Sequence, residues 1–159
     1  MSISYDLDMA TEQSASQVAH ELCDIARTAG LFDDSITPEL VLDDGALTTK
    51  GMWIRVGKET RSWSPVIADL GFTPTVWAAF QPARPSDYSD QQDDMIRLVS
   101  GLLDRAPGDA VLHFQSEVIW LLRRGSELSL NERDDLWPPH RLAAVSQPNR
   151  RATHHFSEE

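Results

Sequence analysis

The sequence predicts an α+β fold, in which a mixed or antiparallel β-sheet carries two main α-helices in the order β-α-β-β-β-α-β-β-β. Three observations support this: two amphipathic helical patterns, short runs of alternating apolar and polar residues, and the grouping of those runs between and after the helices. Strands in consecutive groups are typical of α+β domains, whereas regular β-α alternation is typical of parallel sheets. With 159 residues, the chain is long enough to bury roughly 68–70% of its unfolded surface without a disulfide or a metal.

The first strand and the first helix are indicated by side-chain periodicity. In residues 3–10 the apolar side chains fall on one strand face, and Asp6 and Asp8 fall on the other, which we expect to be wet. A capping box at residues 14–17, apolar residues at helical spacing and a glycine after them predict a helix over about residues 15–29.

The middle of the chain predicts an acidic, turn-rich segment and then three strands. Residues 33–45 are acidic, with a helical-turn signal at residues 37–39, where a proline stands in the first turn. Residues 45–49 and 52–57 read as two strands around a short turn. After a polar loop, residues 72–81 are the third strand.

The second half predicts the second helix and a three-stranded meander. Apolar residues over 95–103 recur at helical spacing, Asp93 and Arg97 are placed to pair at i, i+4, and Pro107 ends the pattern. The predicted strands cover residues 110–114, 118–122 and 127–130. Both faces of the middle strand are apolar, which predicts a central strand covered on both sides.

The charge distribution divides the chain into a single domain at residues 1–136 and a tail at residues 137–159. The domain has a net charge of −12, whereas the tail has a net charge of +1 and contains three prolines and three of the five histidines. This composition predicts a tail separate from the packed core. The overall net charge of −11 excludes nucleic acids and anionic membranes as expected partners, and it favours a basic protein.

Three features predict a cytoplasmic protein. The single cysteine, Cys23, forms neither an internal disulfide nor a zinc cluster, which is typical of a reducing compartment. The N-terminal residues lack the basic and apolar regions of a signal peptide. No apolar run reaches the roughly 18 residues that span a bilayer.

Candidate catalytic residues are few. His113 has the chemistry of a general base, and Asp6 and Asp8 share one strand face as paired carboxylates do in some metal sites. Their ordinary alternatives are a half-buried histidine on a sheet and solvated carboxylates on a wet face. The sequence contains no nucleophile elbow, phosphate-binding loop or zinc-protease motif. It therefore predicts a protein that is not an enzyme and needs no metal or cofactor.

Four Asp-Asp pairs and two loop tryptophans are the candidate partner-binding residues. Aspartates at element boundaries cap helices and keep a surface soluble, and this interpretation is strong for Asp93 and Asp94. The other pairs also fit an acidic docking surface for a basic partner. Loop tryptophans fit interface anchors and, equally, lids over the edge of the core. The predicted partner-binding residues are Asp33, Asp34, Asp43, Asp44, Trp63, Asp134, Asp135 and Trp137.

Four segments, taken in order, carry a resemblance to a known family. They are YDLDMAT at residues 5–11, LGFTPTV at residues 70–76, GDAVLHF at residues 108–114 and LLRRG at residues 121–125. In this order and spacing they resemble actinobacterial relatives of the Sit-type immunity proteins, of the third Sit immunity type. The family takes its name from the swarming-inhibition toxin–immunity system of myxobacteria. The resemblance implies a cytoplasmic protein that binds and neutralises a cognate toxin, and it assigns neither catalytic nor toxin-contacting residues.

Three interpretations of function follow. The first is a non-catalytic immunity protein whose partner is a cognate, basic polymorphic toxin. The second is a small-ligand-binding or hydrolytic domain that uses Asp6, Asp8 and His113 around a cleft. The third is a self-associating domain in which Trp53, Trp63 or Trp137 packs across an interface between copies.

Overall fold

The structure is a computed structural model that describes residues 3–83 and 88–157. In these ranges the strands are β1 (Tyr5–Ala10), β2 (Ala46–Leu47), β3 (Trp53–Lys58), β4 (Val76–Gln81), β5 (Asp109–Phe114), β6 (Val118–Arg124), β7 (Glu127–Leu130) and β8 (Arg150–Arg151). The helices are α1 (Ala15–Thr28), α2 (Pro38–Asp43), α3 (Tyr88–Arg105) and α4 (Pro139–Leu142), and a π-helical turn covers Val66–Leu70. The predicted order of strands and main helices is confirmed, with β8 and the short helical elements added to it.

The described strands form one sheet in the order β2-β3-β4-β1-β5-β6-β7-β8. Neighbouring strands are antiparallel, apart from β7 and β8, which run parallel. The predicted α+β class with a mixed sheet is therefore confirmed. The first strand of the chain, β1, lies between β4 and β5, so Asp6 stands opposite Ala79 on one side and His113 on the other.

One side of the sheet, the helix-covered face, packs against α1 and α3. The predicted capping box opens α1: the Ser14 hydroxyl oxygen accepts the Gln17 N–H at 3.1 Å, and Gln17 Oε1 accepts the Ser14 N–H at 2.8 Å. Apolar residues of both helices join Leu7 and Met9 of β1 in the main core. Burial of this surface, at about 25 cal/mol per Å², is the main favourable term for folding. No helix in the described ranges has both the length and the apolar content to cross a membrane.

The other side of the sheet, the open face, is covered at one end by a small second core. Residues from the segment between β3 and β4 pack there on β5 and β6; the cluster contains Val66, Leu70, Phe72, Val111, Ile119 and Leu122. The pairing of β5 with β6 skips Trp120, a bulge that lets both Trp120 and Leu121 join the main core. The prediction that β6 is covered on both faces is confirmed.

Two boundaries differ from the predicted ones for local chemical reasons. The strand predicted over residues 72–81 begins at Val76, because Phe72 packs in the second core and Pro74 has no N–H for a ladder. The helical turn signal at residues 37–39 becomes the short helix α2. Its N-cap is Thr37, whose side-chain oxygen accepts the Leu40 N–H at 3.2 Å.

The prediction that residues 137–159 lie apart from the packed core is wrong for the described part of that segment; residues 158 and 159 lie outside the described residues. Trp137 is 1% exposed and belongs to the main core. Arg141, on α4, is 2% exposed. Further along, β8 pairs with β7 and extends the sheet. Charge and proline counts did not predict this packing, because the segment is held by a few specific contacts that composition does not reveal.

The buried guanidinium of Arg141 also replaces a predicted ion pair. It donates to Asp93 Oδ1 at 2.6 Å and to the Leu136 carbonyl oxygen at 2.8 Å. Asp93 is therefore paired with α4 rather than with Arg97, which lies 4.0 Å from Asp94 instead. A contact between two helices distant in sequence has displaced the local i, i+4 pair.

Candidate functional site

The uncovered part of the open face forms a hollow of about 410 Å³, which we call the open-face hollow. Strand residues Asp6, Asp8, Trp77 and His113 line it, and residues 59–66 of the β3–β4 segment form its wall. Strand alternation places Asp6 and Asp8 on one face, and the pairing of β1 with β5 sets His113 beside them. The structure thus brings together the three residues that the second interpretation requires.

His113 and Asp8 form a buried pair at this site. His113 Nε2 lies 2.9 Å from Asp8 Oδ2, and the backbone N–H of Ser116 donates to His113 Nδ1 at 3.0 Å. Because Nδ1 accepts a hydrogen bond, its lone pair is occupied, and the hydrogen-bond network assigns the ring proton to Nε2, which donates to the carboxylate. Both ring nitrogens are therefore engaged, and His113 has no free lone pair with which to act as a general base.

The turn between β5 and β6 orients this pair. Gln115 and Ser116 have φ values of 52° and 59°, and the Glu117 N–H donates to the Phe114 carbonyl oxygen at 2.8 Å. Two central residues with positive φ define a type I′ hairpin turn, which usually contains asparagine or glycine. Other residues in this conformation cost roughly 1–2 kcal/mol each. The turn is therefore less stable than one with glycine or asparagine at these positions, but its conformation directs the Ser116 N–H toward His113 Nδ1.

Two polar groups of the hollow lack a partner within residues 3–83 and 88–157. No hydrogen bond or ion pair to a described residue involves the Asp6 carboxylate; burial raises its pKa, against opposition from His113 and Arg61 and with a further contribution from Asp8. Ser64 is 4% exposed, and its hydroxyl has no hydrogen-bond partner. By contrast, Arg61 is engaged with Glu59 through bonds of 3.0 and 2.9 Å.

Indole rings border the hollow. A Cβ atom on Gly57 would lie 2.3 Å from the Trp77 ring, so this glycine lets the ring lie across β3. The guanidinium carbon of Arg55 lies 5.7 Å from the centroid of the same ring. Trp53, also at the hollow, donates its indole N–H to the Asp44 carbonyl oxygen at 3.0 Å.

Several residues of the hollow were missed by sequence reasoning. They are Glu59, Arg61, Ser64 and Trp77. Strand alternation could have placed Trp77 on the open face. Nothing in the sequence indicated that the β3–β4 loop folds back over β1 and β5.

The predicted acidic residues fall on two separate surfaces. Four of them flank α2 and are exposed, together with two exposed leucines; this α2 surface consists of Asp33, Asp34, Leu40, Asp43, Asp44 and Leu47. Asp33 is partly used within its own turn, because hydrogen bonds from the Ser35 side chain and N–H lower its pKa.

Asp134 and Asp135 follow β7, six strands from β2. At about 4.8 Å per strand, roughly 29 Å of sheet separates the two groups. The Arg133 guanidinium holds Asp135 at 2.6 Å and lowers the pKa of its carboxyl. The acidic pairs therefore do not form one docking surface.

The two predicted anchor tryptophans differ in exposure. Trp63 is 65% exposed in the β3–β4 loop, and its role as an anchor stays a prediction. Trp137 donates its indole N–H to the Trp120 carbonyl oxygen at 3.0 Å within the core. The partner-binding prediction for Trp137 is corrected accordingly: this indole closes the edge of the core. Cys23 is also buried, which raises the pKa of its thiol to about 11.

A family model described as SitI3-like matches residues 3–141. The chain belongs to the SitI3-like family. The resemblance to Sit-type immunity proteins is thereby confirmed. No curated protein and no solved structure matches this SitI3-like chain. The matched range runs from before β1 into α4, so it contains every residue that lines the open-face hollow.

Proposed function

We propose that the chain is a cytoplasmic immunity protein that protects its producer by binding a cognate polymorphic toxin, and that it acts without catalysis. The observation that carries this proposal is its membership of the SitI3-like family over residues 3–141. The engaged ring nitrogens of His113 and the raised thiol pKa of Cys23 support a non-catalytic role, because neither group is in a reactive state.

The toxin partner is basic in this proposal. The net charge of −11 repels other anions and attracts cations, which accelerates encounter with a positively charged protein. The α2 surface combines exposed carboxylates with exposed Leu40 and Leu47, and such a combination of charge and apolar area fits a protein interface. Asp134, Asp135 and Trp63 are further candidate contacts.

The test uses the toxin that this proposal expects to be encoded next to this gene. The full chain is expected to protect cells that express the toxin and to bind it in a purified complex. Reversal of the α2 charges by Asp43→Lys with Asp44→Lys is expected to slow association on the order of tenfold at low salt. The same reversal at Asp134 and Asp135 tests the second acidic surface.

A matched control is Glu12→Lys with Glu117→Lys, two exposed carboxylates without an ion pair to a described residue, which changes the net charge equally. A chain that neither binds nor protects against the neighbouring toxin contradicts the proposed function. If all three double variants associate at the same rate, docking through the acidic pairs is wrong. Salt dependence of the wild-type rate, which screening predicts, distinguishes steering from local contacts.

The second interpretation, a small-ligand-binding or hydrolytic domain, gains one supporting observation. Asp6, Asp8 and His113 do converge on the open-face hollow. A small-ligand-binding role therefore fits the geometry of the open-face hollow. His113 cannot serve as the base of the hydrolytic role, because Nδ1 is held by Ser116 and Nε2 by Asp8. Self-association, the third interpretation, is tested by the mass of the chain in solution.

A further inference from the structure

We propose that the open-face hollow is a receptor pocket for an arginine side chain of the partner protein. This inference rests on the proposed function and names the chemical group through which the toxin engages the domain. It concerns the open face that carries Asp6 and Asp8, with Ser64 in its wall, and this surface meets the α2 surface at Trp53.

The charge of the hollow calls for a cation. Three carboxylates and one guanidinium line it, so acidic groups outnumber the arginine in its lining. Glu59 is matched by Arg61, and Asp8 accepts from His113 Nε2. Asp6 is the carboxylate left without a hydrogen bond or ion pair among the described residues. A desolvated carboxylate of this kind is stabilised by a cation that brings its own hydrogen-bond donors.

A buried hydroxyl gives independent support for a ligand. Ser64 is 4% exposed, lines the hollow, and leaves its Oγ without a partner in the part of the chain that the structure describes. Buried polar groups in folded proteins nearly always have a hydrogen-bond partner. A multidentate donor that reaches Asp6 would also supply a donor to the Ser64 hydroxyl, which satisfies both groups at once.

Among cationic side chains the geometry favours arginine over lysine. A guanidinium is planar, carries five donors and stacks on aromatic rings, whereas an ammonium is compact and more strongly hydrated. Indoles of Trp53 and Trp77 border the hollow. This surface already holds one guanidinium against a ring, since Arg55 lies 5.7 Å from the centroid of Trp77.

The chain's own arginines do not fill this role. Arg61 is committed to Glu59 through two hydrogen bonds. Arg55 lies against Trp77; its buried Nε has no hydrogen-bond partner, and no ion pair joins it to a carboxylate in residues 3–83 and 88–157. The Asp6 carboxylate, which has no hydrogen bond or ion pair to a described residue, therefore faces a hollow that a side chain of the partner can enter from solvent.

The first experiment uses a small probe and needs no toxin. N-acetyl-arginine amide is titrated into the isotope-labelled chain, and the indole N–H signals of Trp53 and Trp77 are followed by NMR. We expect saturable shifts with this probe, and shifts at least about tenfold weaker in apparent affinity with the neutral N-acetyl-citrulline amide or in Asp6→Asn. Asp24→Asn, on the helix-covered side, is the matched control and should bind as the wild type does. Equal binding of citrulline, or of arginine by Asp6→Asn, would overturn the pocket.

The second experiment tests whether the pocket contributes to toxin binding. With the neighbouring toxin, Asp6→Asn is expected to raise Kd at least about tenfold, mainly through faster dissociation, and Asp24→Asn to leave it within about twofold. Ser64→Ala should have a smaller effect in the same direction. If the wild type binds the toxin and Asp6→Asn binds equally well, the pocket is wrong and the immunity function stands. If the wild type does not bind the toxin while the arginine probe still binds, the immunity function is wrong and the pocket stands.

Discussion

Polar groups on the two sides of the sheet differ in whether their hydrogen bonds are made within the chain. On the helix-covered side, the guanidinium of Arg141 is buried and donates to Asp93, Leu136 and Ser89. On the open face, Asp6 is half-buried and Ser64 is buried, yet no hydrogen bond or ion pair from a described residue reaches the Asp6 carboxylate or the Ser64 hydroxyl. The Arg141 contacts are therefore complete in the free chain and those of the open-face hollow are not, although buried oxygens without a hydrogen-bond partner among the described residues also occur at Gln13 and Asp94.

This difference shows where stability and binding reside in the molecule. A satisfied buried network favours one fixed packing, whereas unsatisfied groups lower stability until a partner supplies the missing bonds. The left-handed turn at Gln115 and Ser116 adds strain on the open face. We expect substitutions on the helix-covered face to cost stability, and substitutions in the hollow to increase stability while they weaken binding.

The largest expected effect separates two tryptophans that the sequence could not distinguish. Trp137→Ala removes a core indole and its hydrogen bond to Trp120, and it should lower the free energy of unfolding by about 3–5 kcal/mol. Trp63→Ala, at a 65% exposed position, should change it by less than about 0.5 kcal/mol. Urea denaturation followed by circular dichroism measures both. Similar losses in the two variants would contradict the assignment of Trp137 to the core.

The next effect tests the anchoring of α4. Arg141→Ala leaves Asp93 and two carbonyl groups without their donor, and a loss of about 3 kcal/mol is expected. This lies at the lower end for buried pairs, because Asp93 is only partly buried and keeps His140. His140→Ala is the matched control: it removes an exposed contact to the same carboxylate and should cost under about 1 kcal/mol. A tail separate from the core would show no difference between the two.

Periodicity and capping were sufficient to predict most of the fold. The Ser14–Gln17 capping box and the apolar spacing of residues 95–103 are local signals, and both helices appear where they predict. The two apolar faces of β6 likewise predicted its cover on both sides. Local patterns succeed here because helix ends and strand alternation depend on residues close together in sequence.

The site was predictable in part, for the same reason. Asp6, Asp8 and His113 were candidates because of residue type and strand face, and antiparallel pairing of β1 with β5 brought them together. The wall formed by Arg61 and Ser64 depends on how a loop returns over the sheet, which no periodicity encodes. The contacts of Trp137 and Arg141 depend on packing between distant segments in the same way.

A smaller effect, of opposite sign, is expected for Asp6→Asn. Removing a desolvated, unpaired carboxylate should raise the free energy of unfolding by about 0.5–1 kcal/mol at neutral pH. Because burial raises the pKa of Asp6 in the folded chain, the wild type loses stability as the pH rises through that pKa, and the variant does not. The charged and titratable groups around Asp6 are Asp8, Arg55, Glu59, Arg61 and His113.

The advantage of Asp6→Asn should therefore shrink as the pH falls toward about 3.9, the ordinary pKa of aspartate, where both chains are neutral at this position. Urea midpoints measured between pH 4 and pH 7 test this. Asp24→Asn, which changes an exposed carboxylate on α1, should show no such pH-dependent gain. An Asp6→Asn chain that is less stable than the wild type at neutral pH would mean that the carboxylate already has a stabilising partner.

The smallest effect concerns the strain in the β5–β6 turn. Ser116→Gly keeps the backbone N–H that donates to His113 and removes the Cβ atom that disfavours a φ of 59°, so a gain of about 0.5 kcal/mol is expected once the extra freedom of unfolded glycine is subtracted. Ser126→Gly, in the turn between β6 and β7, is the matched control. Ser126 has no positive φ, so glycine should be neutral or destabilising there. Thermal unfolding of the two variants compares them directly, and a loss in Ser116→Gly would mean that the serine side chain, rather than its backbone, supports the Asp8–His113 pair.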